Sequence, residues 1–459
     1  MVPESIVRTD LIPGAAPLPH GSTTETWQAR SWRYDHLAVF FFILNAISAL
    51  LFIGFVNHPI YDDPYNVLDV HRYASEGVSV DTVRRNVNAP GPTSFLWMAA
   101  AVRLLGGNEL RAARVGALSS WLLLSAGMLV GARHSKFPQL WYSALLVTLV
   151  FPHAPTASAS VLTEGPALLF AMMGVLIWVE SVSRPTITPR LVVIAMIGGL
   201  FMGIAVTCRQ YYLMLLPAAV LVAVIQSRRG KVVESSLWFV TVILSLATAI
   251  VPVLLLVLTW NGFTSPGVGH SMWNTGVGIS GLRPVVAVFY IALYLVPLTF
   301  PAMLHLRPAQ HRRALVFAAL TGIGVTYFRS YLLQPGPLMS LVHIGGRVPA
   351  GEFIIFALIA VVTIYNAVAL GLQLWARGAS LFSSPLLAFA LLAIVFFIGE
   401  QVGVGGNMPF YDRYLLQLAP FLGLVAFDVL PGLTLQRLLS LVFLSVVGQG
   451  MLWRHALGG

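Results

Sequence analysis

The sequence predicts an all-α, polytopic transmembrane protein, and three observations carry that prediction: composition, the length of the apolar runs and the placement of charge. Of 459 residues, 57% are hydrophobic and only 10% charged, too little polar surface to cover a water-soluble globule. From His36 onward apolar runs recur, many of 17 to 25 residues, the length a helix rising 1.5 Å per residue needs to cross roughly 30 Å of hydrocarbon. The formal charge of +10 is scattered singly or in small groups between these runs, almost all of it Arg. A nucleic-acid-binding protein gathers such charge into a stripe, whereas this scatter orients helices in a membrane, so no nucleic-acid partner is expected.

Taken in order, residues 1–35 are polar and rich in Pro, Ser and Thr and read as a disordered cytoplasmic tail. The following run is too long for a signal peptide and lacks a small-residue cleavage site, so His36 to Asn57 is a retained first span directed outward. Residues 36–459 then form a single transmembrane domain of about thirteen helices, with further spans near 115–133, 140–152, 165–182, 190–207, 211–226, 236–260, 285–304, 314–333, 353–377, 382–402, 413–430 and 433–453. Under this parity Arg133, Lys136, Arg184, Arg190, Arg228, Arg229, Lys231, Arg307, Arg312 and Arg313 fall in cytoplasmic turns, as the positive-inside rule requires. Arg103, Arg111 and Arg114 break the rule if the run from Pro92 to Gly106 crosses the bilayer, so that run is laid along the outer interface as an amphipathic helix. Three external segments exceed what a turn needs: the first external loop, 58–114, then 261–284 and 334–352. Long loops carry function more often than short ones.

Candidate chemistry concentrates at the outer ends of these helices. Asp62 and Asp63 lie about five residues beyond the first span, where a carboxylate can act as a general base, although Asp-Asp-Pro is equally a turn and helix-start signal. Glu164 lies twenty residues before Arg184, Arg209 nineteen before Arg228 and Arg413 twenty-four before Arg437. At the helical rise each sits about 30 Å or more from a basic cytoplasmic turn, on the outer boundary. Four external segments thus place Asp62 with Asp63, Glu164, Arg209 and Arg413 at one depth. Singly, Glu164 answers a helix dipole and the arginines snorkel to headgroups. Together, an acid and two arginines at a lipid-accessible mouth suit the holding of a lipid phosphate while a neighbouring carboxylate takes a proton. Glu400 is an acid within an apolar run and a functional candidate on that ground. His270, Trp273 and Asn274 are of the kind that stack on and read sugars, or, for the Trp, anchor an interface.

Cys208, the one cysteine, reads as a small buried hydrophobe. There is no P-loop, no GxGxxG opening a Rossmann unit, no HExxH and no CxxC pair, so no nucleotide or metal cofactor is assigned.

These residues resemble the GT-C class of integral-membrane glycosyltransferases, and within it the alpha-1,2-glucosyltransferases that use dolichyl-phosphate glucose. The family's first loop reads approximately YMDE, a His, QAQRY and TTxPG. Here the corresponding stretch is IYDDPYNVLDVHRY followed by VNAPGPTSF, which puts Asp62 at the family's Asp and Asp63 at its Glu. FPHAPTASASVLTEGPALLF is similar to its FP and TEAG stretch, CRQYY to its FRQTN and YDRYLLQLAP to its FRYFILPY. The family's loop His is Asn66 here, its QAQ is Asp69, Val70 and His71, and its TN after RQ is Tyr211 and Tyr212, departures that leave the sugar and acceptor open. NELRAAR is closer to bacterial relatives that modify lipid A or decorate surface glycans.

The resemblance implies a GT-C fold with interfacial helices in the first loop, and an inverting transferase moving a hexose, glucose or mannose, from polyprenyl phosphate to an acceptor hydroxyl on the external face. Asp62 is then the base, with Asp63 and Glu164 orienting base or acceptor. Arg209 and Gln210, Arg413 and Tyr414, and His270, Trp273 and Asn274 bind substrate. The expected partners are the bilayer, a lipid-linked sugar donor and a glycan or glycolipid acceptor, and the expected location is a bacterial inner membrane with the site facing the periplasm. The alternatives are a transporter or flippase of a lipid-linked glycan, which needs ionisable groups near the midplane, and a glycan ligase or polymerase.

Overall fold

The computed structural model describes residues 24–184, 186–228, 236–266, 281–303, 308–333, 337–346, 348–403, 412–429 and 433–457. Within them lie nineteen α-helices: α1 Thr24–Phe55, α2 Asp63–Glu76, α3 Val80–Arg84, α4 Pro92–Leu105, α5 Glu109–His134, α6 Pro138–Val150, α7 Ala154–Ala159, α8 Glu164–Val182, α9 Pro189–Cys208, α10 Leu215–Arg228, α11 Ser236–Trp260, α12 Leu282–Met303, α13 Pro308–Thr326, α14 Arg329–Leu332, α15 Pro337–Gly345, α16 Gly351–Arg377, α17 Pro385–Gly403, α18 Ala419–Val429 and α19 Leu435–Ala456. A 3-10 turn, Gln210–Met214, leads into α10, and another, Asp412–Leu418, leads into α18. The described secondary structure is helical throughout.

Ten of these helices are long and apolar enough to cross a membrane, and large apolar side chains such as Phe40, Leu51, Ile243, Leu255, Leu358 and Val446 stand on their outer surfaces. In water such a surface is untenable, and in lipid it is the ordinary one. The chain is an integral membrane protein. Among the described residues ten helices have the length and apolarity of a span, against about thirteen expected over the whole chain, and three helices account for the difference. Helices α6 and α18 have 13 and 11 residues and are buried on nearly every side. A helix apolar all round is a core helix as readily as a span, and periodicity does not separate the two. Helix α13 opens with PAQHRR, which cuts its apolar stretch short. At the other end of the chain, α1 begins at Thr24, twelve residues before the expected first span.

The first external loop folds into α2, α3 and α4. The interfacial helix expected over 92–106 is α4, started by Pro92 at its first turn and stopped by Gly106 at φ +63°. Its Phe95, Met98 and Ala99 pack with Val70 and Tyr73 of α2 and with Ala113 and Ala117 of α5. The three arginines that break the positive-inside rule are absorbed by this loop. Arg103 donates to the carbonyls of Tyr73 and Ala74, Arg111 to Asn57 Oδ1 and the Gly54 carbonyl, and Arg114 to Asp63 and the carbonyls of Val56 and His58. Their charge is spent on backbone oxygens and a carboxylate, not on orientation in the membrane.

Two seams fix the loop to the bundle. Gly91 N donates to the Cys208 carbonyl at 3.0 Å, and a Cβ at Gly91 would overlap the Thr207 carbonyl, so the approach needs glycine. Beside it Thr93 and Thr207 share a 2.8 Å hydroxyl bond, and Gln210 Nε2 donates to the Ala89 carbonyl at 2.9 Å. The second seam is the segment 151–163 between α6 and α8, every residue of which is buried. Irregular backbone survives at such depth only where protein encloses it and satisfies its polar groups.

Candidate functional site

Four chain segments meet where the first loop, the buried 151–163 segment, the C-terminus of α9 and the 412–418 turn converge. Asp62 is the N-cap residue of α2, and its side chain makes no capping hydrogen bond. The helix start is set instead by Asp63 and Pro64 in the first turn. The Asp62 carboxylate is thereby left to a longer reach: its Oδ2 accepts from Arg413 Nη2 at 2.5 Å, across 351 positions of sequence. Asp62 stays 39% exposed in its side chain, the most open acid of the group, while Arg413 is 14% exposed.

Glu164 opens α8 and is 1% exposed. Its Oε1 accepts from Arg209 Nη2 at 2.7 Å and lies 3.9 Å from Arg413 Nε. Arg209 is the C-cap of α9, and its extended backbone (φ −147°, ψ 121°) turns the side chain back toward the N-terminus of α8, where its Nε also donates to Thr163 Oγ1 at 2.9 Å. The helix dipole of α8 favours the acid at this point. The Tyr414 ring lies beneath both guanidinium carbons, 5.4 Å from that of Arg209 and 5.8 Å from that of Arg413, in cation–π range. Tyr211 packs against the Tyr414 ring at 5.1 Å between centroids. One buried carboxylate therefore stands between two guanidinium groups, one of which also holds the exposed Asp62. Two carboxylates and two guanidinium groups thus balance in formal charge, with the partly exposed Asp62 at the outer edge of the array.

Asp63 points elsewhere. Its side chain is fully buried with that of Arg114, and the two form an ion pair at 2.6 Å. Its oxygens also accept from the backbone N–H groups of Ile60 and Val161 at 3.1 and 2.6 Å. Burial pushes its carboxyl up from the usual range, and Arg114 with the two N–H donors pulls it back. The geometry makes Asp63 a strut tying the start of the loop to the 151–163 segment, one residue from Asp62. Asp69 does related work farther on. It accepts from the N–H groups of Val87 and Asn88, each at 3.0 Å, and from Arg72, and burial is again the largest influence, upward, on its carboxyl.

Of the residues singled out in the sequence, Asp62, Glu164, Arg209, Arg413 and Tyr414 are brought together. Gln210 is turned to the loop seam, and Asp63 is set behind the site. Glu400 lies on α17 with its Oε2 buried and without a hydrogen-bond partner in the structure. His270, Trp273 and Asn274 lie outside the described residues. Three neighbours were missed by the sequence reading: His153, Asp412 and Tyr294. Asp412 Oδ1 lies 3.1 Å from His153 Nε2, and its Oδ2 accepts from the Tyr294 hydroxyl at 2.6 Å. His153 and Asp412 stand inside FPHAP and YDRY, stretches already marked by resemblance, and that position was the available signal; nothing local marks Tyr294. Tyr61, next to Asp62, has φ +49°, and burial pushes its phenol up to about 12. Among the described residues no group of three or more His, Cys, Asp or Glu side chains is placed to hold a metal ion.

No protein-family model matches the chain, and no curated protein does. Solved structures are similar to it at low identity. ArnT from Cupriavidus metallidurans in the apo state aligns over 91% of this chain and 77% of its own, with 16% identity and a TM-score of 0.42. The same protein bound to undecaprenyl phosphate aligns over 94% and 79%, with 15% identity and a TM-score of 0.41. The Archaeoglobus fulgidus oligosaccharyltransferase in complex with Zn and sulfate aligns over 80% of this chain and 54% of its own, at 12% identity and a TM-score of 0.33.

Proposed function

We propose that the protein is a GT-C glycosyltransferase that moves a hexose, glucose or mannose, from polyprenyl phosphate to an acceptor hydroxyl on the external side of the membrane, with inversion at the anomeric carbon. The observation that carries the reading is the Asp62–Arg413–Glu164–Arg209 array: a partly exposed carboxylate paired with one of two guanidinium groups that share a buried acid. The resemblance in sequence supplies the class, and the array supplies groups suited to its chemistry.

In this reading Asp62 accepts the proton of the acceptor hydroxyl as its oxygen attacks the anomeric carbon, and the bond to the phosphate oxygen breaks with its electron pair staying on phosphate. Arg209 and Arg413 hold that phosphate and stabilise the charge it gains on leaving, planar fork donors being well matched to phosphate oxygens. A phosphate leaves as an anion without being protonated, so one carboxylate serves where glycoside hydrolysis uses two. Glu164 fixes both arginines and Asp63 fixes the backbone that presents Asp62. The location follows the same reading, a bacterial inner membrane with the array on the periplasmic side.

Purified protein in detergent or proteoliposomes, given radiolabelled polyprenyl-phosphate glucose or mannose and a membrane lipid extract as acceptor source, should move one labelled sugar onto an acceptor. Absence of transfer with both donors, while label appears on the opposite side of intact proteoliposomes, would replace this reading with that of a transporter.

A further inference from the structure

Behind the array lies a second polar cluster that the mechanism above does not use. Asp412 is 1% exposed and His153 7%, and both oxygens of the Asp412 carboxylate are engaged, Oδ1 with His153 and Oδ2 with Tyr294. Tyr294 and His153 also approach each other at 3.4 Å, and the Phe151 ring packs on Tyr294 at 4.9 Å between centroids. The three polar residues come from the buried 151–163 segment, from α12 and from the 412–418 turn, and Asp412 immediately precedes Arg413. Burial of a carboxylate is costly unless it is hydrogen-bonded and paired, so this arrangement is retained only as a unit. Its position has two effects on Arg413. The turn is pinned to the bundle at the residue before the guanidinium. Both oxygens of the Asp412 carboxylate are occupied, by His153 and Tyr294, and Arg413 reaches to Asp62 and Glu164.

We propose that His153 and Tyr294, acting through Asp412, are positioning residues that set the place of the Arg413 guanidinium for a lipid phosphate. The proposal rests on the reading of Arg413 as a phosphate ligand. None of the three touches donor or acceptor. Loss of the Tyr294 hydroxyl frees one oxygen of Asp412, lets the turn shift, and lets Asp412 draw Arg413 away from the phosphate.

The test is a double-mutant cycle on the full-length protein, read as affinity for polyprenyl phosphate. Tyr294→Phe should weaken that affinity by about five- to tenfold, less than the full worth of a hydrogen bond to a charged group because the loss reaches Arg413 only through Asp412, while the KM for acceptor stays as in the wild type. In an Arg413→Ala background Tyr294→Phe should cause no further loss. An equal loss in both backgrounds would mean a general structural role and overturn the proposal, as would an unchanged affinity of the single variant. If Tyr294→Phe does not fold, His153→Gln, which perturbs the other oxygen, enters the same cycle with the same expected non-additivity. If the wild type shows no affinity for polyprenyl phosphate, the reading of Arg413 itself falls, and this assignment with it; additivity alongside normal wild-type affinity overturns the positioning role only.

Discussion

Replacing Asp62 by Asn should destroy transfer and, at the same time, tighten the binding of the lipid phosphate. The first half follows from removing a general base, a loss of at least about 100-fold in kcat. The second follows from geometry. Arg413 Nη2 is held by Asp62 Oδ2 at 2.5 Å, so a phosphate that recruits this Nη2 must first displace that carboxylate. A fully exposed ion pair contributes up to about 1 kcal/mol, and a hydrogen bond to a charged group about 1.5 to 3 kcal/mol. With 39% of the Asp62 side chain exposed, the pair is discounted toward the lower figure, about 1 kcal/mol, or roughly fivefold in Kd. The neutral amide of Asn competes weakly, so Kd for polyprenyl phosphate should fall by about three- to tenfold. The assay is titration of purified wild type and Asp62→Asn with polyprenyl phosphate, followed by tryptophan fluorescence, with radiolabelled transfer measured on the same preparations. An Arg413→Ala background should abolish the gain. Unchanged or weaker binding by Asp62→Asn would refute the competition, and wild-type turnover would refute Asp62 as base.

The other predictions concern the groups around that pair. Arg209→Ala should weaken phosphate affinity at least about tenfold and also cost about 3 kcal/mol of stability, because Glu164 is left buried and unpaired on that side; adding Glu164→Gln should recover thermal stability without recovering affinity, and recovery of both would refute a binding role for Arg209. Arg114→Ala strands Asp63 in the interior and should cost about 3 to 5 kcal/mol, seen as a lower unfolding temperature, whereas Arg114→Ala combined with Asp63→Leu should lose markedly less. Gly91→Ala drives a methyl into the Thr207 carbonyl and should cost about 1 to 3 kcal/mol, with faster limited proteolysis in the first external loop as the readout; wild-type cleavage rates would count against the seam.

Much of this was legible because the membrane reduces the problem to one dimension. A charge counted twenty residues from a cytoplasmic turn has a known depth, and that is how Glu164, Arg209 and Arg413 fell at one level before any contact was known. Depth says nothing of azimuth around the bundle, and so Asp62 and Asp63 looked alike although the chain sends one to Arg413 and the other to Arg114. Arg114 itself looked like an interfacial cation because its partner lies 51 positions away. Spans were expected where α6 and α18 are apolar but, among the described residues, short, since a core helix and a span share one hydropathy signal. Tyr294 was invisible for a related reason: nothing in the apolar sequence of α12 separates it from Tyr290 one turn earlier, and only the fold reveals the carboxylate it meets.

The backbone at Tyr61 carries a consequence for how tightly the Asp62 carboxylate is held. A residue other than glycine at φ +49° is about 1 kcal/mol or more above its relaxed state, and the Tyr61 ring offsets this by packing on the small apolar cluster around Phe52, Ile53 and Ile60. Glycine would ease the torsion and remove the ring together, leaving the next side chain on a slack hinge. Accuracy of aim at Asp62 is thus sustained by a spring kept under tension.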